Sequence, residues 1–266
     1  MSVRTLVKSI QDIMRKDTGV DGDAQRISQL CWMFFLKIID DQDQELELTK
    51  DNYPSPIPAD LQWRAWAADP EGITGDTLLD FVNNTLFYEL KTLPVNAGPR
   101  AKVVRDVFED AYNYMKSGPQ MLAVIEKLED AINFHDFKTR TSLGDVYEKM
   151  LNDLRGAGNA GEFYTPRSIT AFILDRVNPR LTKRETVLDP ACGTGGFLTA
   201  AIDHFRNQRT TKSGPEDQRA IEALIHGIEK KQLPHLLCTT NMLLHGIDVP
   251  SQIEHKNTLG IGWNEW

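Results

Sequence analysis

The sequence predicts a mainly α-helical N-terminal domain over residues 1–155, followed by a doubly wound α/β domain over residues 156–266. Apolar residues recur at helical spacing from Val3 to about Ile132, which predicts the helices. Between Thr186 and Leu198, a short β-type run, a glycine-rich turn and a helical pattern follow one another, which predicts the α/β domain. The chain has 266 residues, of which 41% are hydrophobic. This is enough for two cores, because a domain typically has about 100–200 residues.

Composition and charge exclude several classes of protein. The longest nearly apolar run, Cys31–Ile39, is far shorter than the ~18 residues that a membrane helix needs, and the first residues carry no secretory pattern. With 30 basic and 38 acidic residues the net charge is −8, so we do not expect tight DNA binding by this chain alone. The three cysteines lack metal-ligand spacing, which predicts reduced thiols and no metal site. The sequence therefore predicts a cytoplasmic protein with no membrane segment.

Four apolar stripes predict helices in the first domain, and none of them carries a catalytic cluster. The stripes run over Val3–Met14, Ile27–Ile38, Val104–Tyr112 and Leu122–Ile132. Residues 51–76 are rich in proline, so we expect a long ordered loop there. His135 stands alone and is interpreted as a packing or surface residue. The first domain is therefore expected to serve packing or interaction.

A helix, a hinge and a second helix are predicted where the two domains join. An apolar face over Leu143–Leu154 predicts the first helix, and the glycine-rich segment Arg155–Gly161 is expected to be a flexible hinge. Thr165 is then placed to cap the second helix and Pro166 to open it. Taken alone, Glu162–Arg167 is best interpreted as an ordinary helix start with an aromatic staple.

The segment from Thr186 to Gly196 predicts a strand, a glycine turn and a site for a nucleotide-like ligand. Glycines let backbone N–H groups approach a ligand closely, and the next helix N-terminus favours an anionic group. The dinucleotide fingerprint fits poorly, because the spacing is Gly-x-Gly-Gly and because Asp189 at the strand end would repel a pyrophosphate. A P-loop is excluded because no Gly-Lys-Ser/Thr follows. S-adenosylmethionine removes the conflict, since it carries a sulfonium and an ammonium and has no phosphate.

A second strand is predicted over Ala223–Glu229, after a polar loop from Asn207 to Gln218. In an α/β sheet the end of the next strand lies beside the first turn, so Glu229 is placed to accept hydrogen bonds from both ribose hydroxyls of an adenosine. A lone glutamate is more often a solvated surface acid. Because Asp189 and the glycine turn precede Glu229 in chain order, we favour the binding role.

Four motifs together resemble the modification subunit of type I restriction-modification enzymes. They are Gly161–Arg167 (GEFYTPR), Asp189–Phe197 (DPACGTGGF), Gly227–Glu229 (GIE) and Asn241–Gly246 (NMLLHG). The form DPACGTGG is typical of DNA adenine-N6 methyltransferases. The resemblance extends from the helical N-terminal domain through the first part of the methyltransferase domain. It implies an incomplete, Rossmann-like, S-adenosylmethionine-dependent methyltransferase domain.

The resemblance also implies which residues bind S-adenosylmethionine. One group of residues would line the site, and a second group would hold the methionine part of the cofactor. Glu229 would bind the ribose, and Asn257 would contact the adenine. Many relatives have Asp at the position of Asn257. The lining residues are Glu162, Phe163, Tyr164, Thr165, Pro166 and Arg167; the methionine-binding residues are Asp189, Cys192, Gly193, Thr194, Gly195, Gly196 and Phe197. The segment Asn241–Gly246 is expected to be a packed helix and not a ligand contact.

The catalytic residues are not assigned, because the expected motif is absent from the sequence. Methyl transfer to adenine N6 needs a flipped base, a stacking aromatic and acceptors for the amine, which the family takes from Asn-Pro-Pro-Phe or Asn-Pro-Pro-Tyr. The sequence has no Pro-Pro pair, and its Asn178-Pro179 precedes the glycine turn. We therefore expect that the chain is truncated at Trp266 before this motif and is inactive alone.

The resemblance implies DNA as the substrate, bound within a complex that contains a specificity subunit and a restriction subunit. A basic junction could touch phosphates, although such charges more often form a solvated face. Its residues are Arg155, Arg167, Arg176, Arg180, Lys183 and Arg184. Two alternatives remain open: a non-catalytic cofactor-binding or assembly module and, less favoured because of Asp189, a small-molecule dehydrogenase.

Overall fold

The computed structural model describes residues 3–69, 72–94, 96–131, 147, 165–209 and 215–262. The chain divides into two compact units, an N-terminal unit of residues 1–159 and a C-terminal unit of residues 160–266. In the part of the chain that is described, no helix has the length and apolar character needed to cross a membrane.

The regular elements described in the N-terminal unit are all helical. They are α1 (Val3–Met14), α2 (Gly22–Thr49), α3 (Trp63–Trp66), α4 (Gly75–Asp80), a π-helical segment (Phe81–Leu86), α5 (Phe87–Lys91), α6 (Pro99–Phe108) and α7 (Gly118–Ala131). Helix α2 is the central element, and most of its residues between Ile27 and Asp43 are buried. Its Trp32 packs edge-on against Phe87, with ring centroids 5.0 Å apart, and Phe87 in turn packs against Phe108 at 5.1 Å. These aromatic contacts form part of the helical core.

A buried carboxylate connects the proline-rich loop to α2. Asp43 accepts hydrogen bonds from Arg100 Nε at 3.0 Å, from the Tyr53 hydroxyl at 2.9 Å and from the Ser55 hydroxyl at 2.5 Å. Burial of a charge is costly unless it is paired and hydrogen-bonded, and here both conditions hold. Burial also raises the pKa of Tyr53 to about 12. The proline-rich loop is therefore ordered, as predicted, although α3 lies within it.

Two features of the N-terminal unit differ from the predictions. The stripe predicted over Val104–Tyr112 ends as a helix at Phe108, because the residues after it are held by distant side chains. Asp17 accepts the backbone N–H groups of Lys116 at 3.0 Å and Ser117 at 2.9 Å.

The second difference is the helical stretch from Gly75 to Lys91, which agrees with the helical character predicted for this half but lies outside the four predicted stripes. Its fully buried side chains are spaced four residues apart. Because an α-helix has 3.6 residues per turn, side chains at this spacing would move progressively away from one face of the helix. The wider turns of the π-helical segment keep these side chains on one face. They are Leu78, Val82, Leu86 and Leu90.

Several predictions at the domain junction lie outside the described residues. These are His135, the hinge Arg155–Gly161 and most of the helix face Leu143–Leu154. Tyr147 is described: it is helical and buried, and its hydroxyl accepts a hydrogen bond from the Cys31 thiol at 3.5 Å.

The C-terminal unit is a three-stranded parallel sheet with helices, as the sequence predicts. The elements are α8 (Arg167–Val177), a 3₁₀ turn (Leu181–Lys183), β1 (Val187–Asp189), α9 (Gly196–Asn207), α10 (Pro215–Leu224), β2 (Ile225–Glu229), α11 (Gln232–Leu244), β3 (Ile253–His255) and a 3₁₀ turn (Thr258–Gly260). The strand order is β1-β2-β3. Asp189 is in register with Gly227, and Glu229 is in register with His255. The carboxyl ends of the strands therefore meet at one edge.

Two boundaries in the C-terminal unit differ from the predictions. Residues 223 and 224 belong to α10, so β2 begins at Ile225 and not at Ala223. Helix α10 also includes residues 215–218, which were predicted to be the end of the polar loop. Pro166 is the N-cap of α8 in place of Thr165, because its carbonyl accepts the first helical hydrogen bonds, from Ile169 and Thr170.

Candidate cofactor site

The glycine turn between β1 and α9 is closely packed against α11. Gly193 has a φ of 55° and Gly195 a φ of 82°, a left-handed backbone that glycine adopts without steric cost. A Cβ at Gly195 would lie 2.8 Å from Cys238 Sγ and 3.0 Å from Met242 Cε, both on α11. Position 195 therefore needs glycine for its backbone conformation and for space.

Glu229, the last residue of β2, is bound directly to this turn. Its Oε2 accepts the Gly193 N–H at 2.9 Å, and its Oε1 accepts the Lys231 N–H at 2.7 Å. The Cys192 N–H also donates to the Ile228 carbonyl at 3.0 Å. The structure thus brings together the predicted glycine turn and the predicted ribose-binding acid.

Asp189, the last residue of β1, lies at the same edge of the sheet. Its Oδ1 accepts the Ala191 N–H at 3.1 Å. Burial raises the pKa of Asp189, the Ala191 N–H opposes this rise, and the negative charge of Glu229 adds to it. Two neighbouring carboxylates in a partly buried setting favour a cationic ligand group over an anionic one.

Gly227, in the middle of β2, allows the sheet, the turn and α9 to approach one another. A Cβ at this position would lie 2.7 Å from Leu198 Cδ1, 3.0 Å from Cys192 Sγ and 3.1 Å from Ile253 Cδ1. All three neighbours belong to packed elements, so a side chain here would displace one of them.

Asn257, the predicted adenine contact, lies after β3 at this same edge. It is exposed and precedes the second 3₁₀ turn, where the Thr258 hydroxyl donates to the Pro190 carbonyl. The Lys256 N–H donates to the Glu229 carbonyl at 3.0 Å. Backbone contacts therefore hold this segment beside the glycine turn.

For the predicted lining residues that the structure describes, Thr165, Pro166 and Arg167, none of the described hydrogen bonds reaches the turn. Glu162, Phe163 and Tyr164 lie outside the described residues, and Thr165 and Pro166 are exposed. The Arg167 guanidinium lies 3.6 Å from Asp203 on α9 and 3.4 Å from the imidazole of His245 at the end of α11. Burial lowers the pKa of His245. Arg167 thus connects α8 to α9 and α11.

Most of the described basic residues of the junction have acidic partners. Arg176 pairs with Asp175, and Arg180 pairs with Glu185 at 2.8 Å. Lys183 and Arg184 are exposed, and Arg155 is outside the described residues.

Sequence reasoning missed one polar contact to the turn. The segment Asn241–Gly246 was expected to be a packed helix, and Asn241 lies within α11, buried, as predicted. Its side-chain Nδ2 also donates to the Thr194 carbonyl at 3.0 Å. An amide at a buried position of an apolar helix was the signal available in the sequence.

No metal centre is found in the described parts of either unit, where three or more His, Cys, Asp or Glu side chains nowhere form a possible ligand group. The three cysteines are free thiols. Cys192 and Cys238 lie beneath the turn with their sulfur atoms 3.8 Å apart. The hydrogen bond between the two thiols and burial raise the pKa of Cys238.

The parallel sheet has a first strand that ends in an acid and a glycine turn, and the next strand ends in a second acid. This arrangement defines a Rossmann-like α/β protein. The family comparisons narrow this class. Residues 3–132 match the model of the HsdM N-terminal domain, and residues 138–266 match the N-6 DNA Methylase model. The chain belongs to the methylase, or modification, subunits of type I restriction enzymes.

Individual relatives agree with this assignment. The chain is 55% identical over 268 residues to the methylase subunit of the type I restriction enzyme EcoEI from Escherichia coli, covering 100% of this chain and 54% of that subunit. A modification subunit assigned to a type I restriction enzyme of Vibrio vulnificus YJ016 superposes with a TM-score of 0.80 at 39% identity, covering 98% of this chain and 57% of that one.

A second solved structure, described as the structural basis of complex assembly and conformational transition of the type I restriction-modification system, contains a similar chain. That chain superposes with a TM-score of 0.79 at 32% identity, covering 97% of this chain and 52% of that one. The chain thus spans about half the length of the relatives it matches.

Proposed function

We propose that this chain binds S-adenosylmethionine as part of a modification subunit that methylates adenine N6 in DNA. The observation that carries the proposal is the meeting of Asp189, the glycine turn and Glu229 at one edge of the parallel sheet. Membership of the N-6 DNA methylase family supports the choice of cofactor and reaction.

The residues at this edge fit the chemical groups of S-adenosylmethionine. Asp189 and Glu229 favour a ligand that carries positive charge, as the sulfonium and ammonium groups do. The N-terminus of α9 begins at Gly196 and favours the single carboxylate. Each oxygen of Glu229 already accepts one backbone N–H, and each retains a lone pair for a ribose hydroxyl.

In the proposed reaction the cofactor supplies an electrophilic methyl group, and this chain binds and orients the cofactor. Asp189 would face the cationic end, Glu229 would fix the ribose, and Asn257 would contact the adenine. The groups that hold a flipped adenine are not assigned, because the sequence has no Asn-Pro-Pro motif. We therefore expect the 266-residue chain to bind the cofactor without transferring its methyl group. Within the complete enzyme we propose DNA, a specificity subunit and a restriction subunit as partners.

Calorimetric titration of S-adenosylmethionine into the folded chain tests the proposal. We expect binding that Asp189→Asn and Glu229→Gln each weaken about tenfold or more, because a hydrogen bond to a charged group contributes about 1.5–3 kcal/mol. Glu254→Gln on β3 is the matched control, since it makes the same charge change where the carboxylate contacts Lys256. That control should stay within about twofold of the wild type.

Two outcomes would contradict the proposal. One is a folded chain, verified by circular dichroism, that gives no binding with S-adenosylmethionine. The other is tighter binding of NAD or NADH, which would support a dehydrogenase.

The second candidate function is a non-catalytic assembly module, which the absence of Asn-Pro-Pro favours. Both candidates predict no methyl transfer by this chain alone, and a methyl-transfer assay with an adenine-containing duplex, with and without the presumed specificity subunit, tests that shared expectation. Turnover by this chain would exclude the module.

A further inference from the structure

Asn241 on α11 holds one peptide of the glycine turn in a fixed orientation. Its Nδ2 donates to the Thr194 carbonyl at 3.0 Å. The same peptide carries the Gly195 N–H, which donates to the Cys192 carbonyl at 2.8 Å. The Thr194–Gly195 peptide is therefore bonded at both of its polar groups.

This peptide is the part of the turn that most needs such bonds. It joins Thr194 to Gly195, whose φ is positive, and Gly193 on the other side of Thr194 also has a positive φ. Glycine has a wider choice of backbone conformations than other residues. Without a donor from α11, rotation of the peptide would move the Thr194 carbonyl and the Gly195 N–H together. The Asn241 amide selects one of these orientations.

Packing alone does not explain an asparagine at this position. Asn241 is 2% exposed, and its Oδ1 has no hydrogen-bond partner among the described residues. A buried acceptor without a partner lowers stability, whereas leucine has a similar size and carries no polar atom. The amide orientation is set by the contact itself, because an oxygen in place of Nδ2 would face the Thr194 carbonyl oxygen.

We infer that Asn241 is a positioning residue that presets the glycine turn for the methionine part of the cofactor. The inference rests on the proposed function, since it assigns a role within the same site. Asn241 acts through the Thr194–Gly195 peptide, and neighbouring α11 residues, Cys238 and Met242, support the turn at Gly195. Glu229 anchors the other side of the turn through the Gly193 N–H.

Three ligands distinguish this role from general damage to the site. S-adenosylmethionine and S-adenosylhomocysteine carry the amino-acid part, whereas 5′-methylthioadenosine lacks it. We expect Asn241→Leu to weaken binding of the first two ligands about fivefold, the usual effect of one lost hydrogen bond, and to change binding of 5′-methylthioadenosine less than twofold. The matched control is Thr240→Val, because Thr240 is a fully buried neighbour on α11 whose hydroxyl has no hydrogen-bond partner in the described structure.

Asn241→Asp provides a pH readout that a purely structural role would not produce. A carboxylate cannot donate to the Thr194 carbonyl, whereas a protonated carboxyl group can. The ratio of the variant Kd to the wild-type Kd for S-adenosylhomocysteine should therefore shrink as the pH is lowered, because burial favours the protonated form. In the ligand-free protein, amide hydrogen exchange at Gly195 should be faster in Asn241→Leu than in the wild type or in Thr240→Val.

The outcomes separate this inference from the proposed function. The positioning role would be overturned if Asn241→Leu weakened binding of all three ligands equally. It would also be overturned if the variant left both ligand affinity and Gly195 amide exchange unchanged. In either case, binding by the wild-type chain would leave the proposed function intact. A wild-type chain that binds none of the three ligands would overturn both.

Discussion

Asp189 is a partly buried carboxyl group whose ionised form the fold disfavours. Burial raises its pKa, so the folded chain binds its proton more tightly than the unfolded chain. The resulting stabilisation is fully present below the unfolded pKa and is lost as the pH rises through the raised folded pKa. At neutral pH the ionised group therefore lowers stability, and it is the form that suits a cationic ligand.

The first prediction concerns Asp189→Asn, which keeps an acceptor for the Ala191 N–H and removes the charge. We expect a slightly higher midpoint of thermal unfolding at pH 7 in the ligand-free variant, together with the weaker cofactor binding given above. The difference in midpoint should shrink as the pH falls. Thermal scans from pH 7 down to about pH 4, near the ordinary pKa of an aspartate, measure this. A variant less stable than the wild type at pH 7 would be the opposite result.

The second prediction contrasts two glycines at the edge of the site. Gly227→Ala should lower the free energy of unfolding by about 1–3 kcal/mol, because its Cβ would lie 2.7 Å from Leu198 Cδ1. Gly196→Ala is the control: its Cβ would have no neighbour within 4 Å, so stability should stay equal or rise by about 0.4–1 kcal/mol. Urea denaturation measures both, and equal losses would refute the close-packing argument.

At the scale of elements, α8 presents apolar side chains to solvent. Phe172 is 62% exposed, whereas Leu174 on the opposite face is 5% exposed, and Val177 at the end of the helix is 71% exposed. In β1, at the end of the strand order, Leu188 is 49% exposed. Exposed apolar faces of this kind favour association.

The third prediction follows from this exposure. Phe172→Ser should change the free energy of unfolding by less than about 0.5 kcal/mol and reduce self-association. Leu174→Ala should instead cost about 2–5 kcal/mol, because it empties part of the core. Denaturant titration and sedimentation velocity test the pair; a large stability loss in Phe172→Ser would show that the side chain is buried in solution.

The local sequence predicted those helices and strands whose buried residues recur at the regular spacing of the element itself. The stripes of α1 and α7 and the β1–turn–α9 sequence are such cases. The segment that follows α6 is held by residues distant in sequence, because Gln29 accepts the Tyr114 N–H and Asp17 accepts the Ser117 N–H. The helix from Gly75 to Lys91 includes π-helical turns.

The candidate site likewise contains residues that the sequence could place together and a contact that it could not. Asp189 and Glu229 could be placed together because parallel strands end at one edge. The bond from Asn241 to Thr194 spans 47 positions, so the local sequence shows an amide within an apolar helix but does not show which group it binds.

At the scale of the molecule, the charge distribution limits what the chain can do with DNA. The net charge is −8, and Arg167, Arg176 and Arg180 each have an acidic neighbour within the C-terminal unit. Nonspecific binding depends on cations that neutralise phosphates. We therefore expect this chain alone to bind duplex DNA weakly.

The fourth prediction quantifies this weak binding. Replacing Arg180, Lys183 and Arg184 by alanine should reduce the slope of log affinity against log salt by about 2, because Arg180 is already paired with Glu185. Fluorescence anisotropy at several salt concentrations measures the slope. An unchanged slope would mean that the junction does not contact DNA, and a change of about 3 would mean that Arg180 exchanges its partner for a phosphate.

Glu229 has one further consequence, which concerns how the sequence can vary during evolution. Its carboxylate accepts hydrogen bonds from the Gly193 and Lys231 N–H groups, which are contacts within the protein, so selection for folding alone can retain an acid there. Asp189 differs, because its charge lowers the stability of the ligand-free fold. Among descendants that lose cofactor binding, Asp189 should therefore drift first, and its presence is the better marker of a functional site.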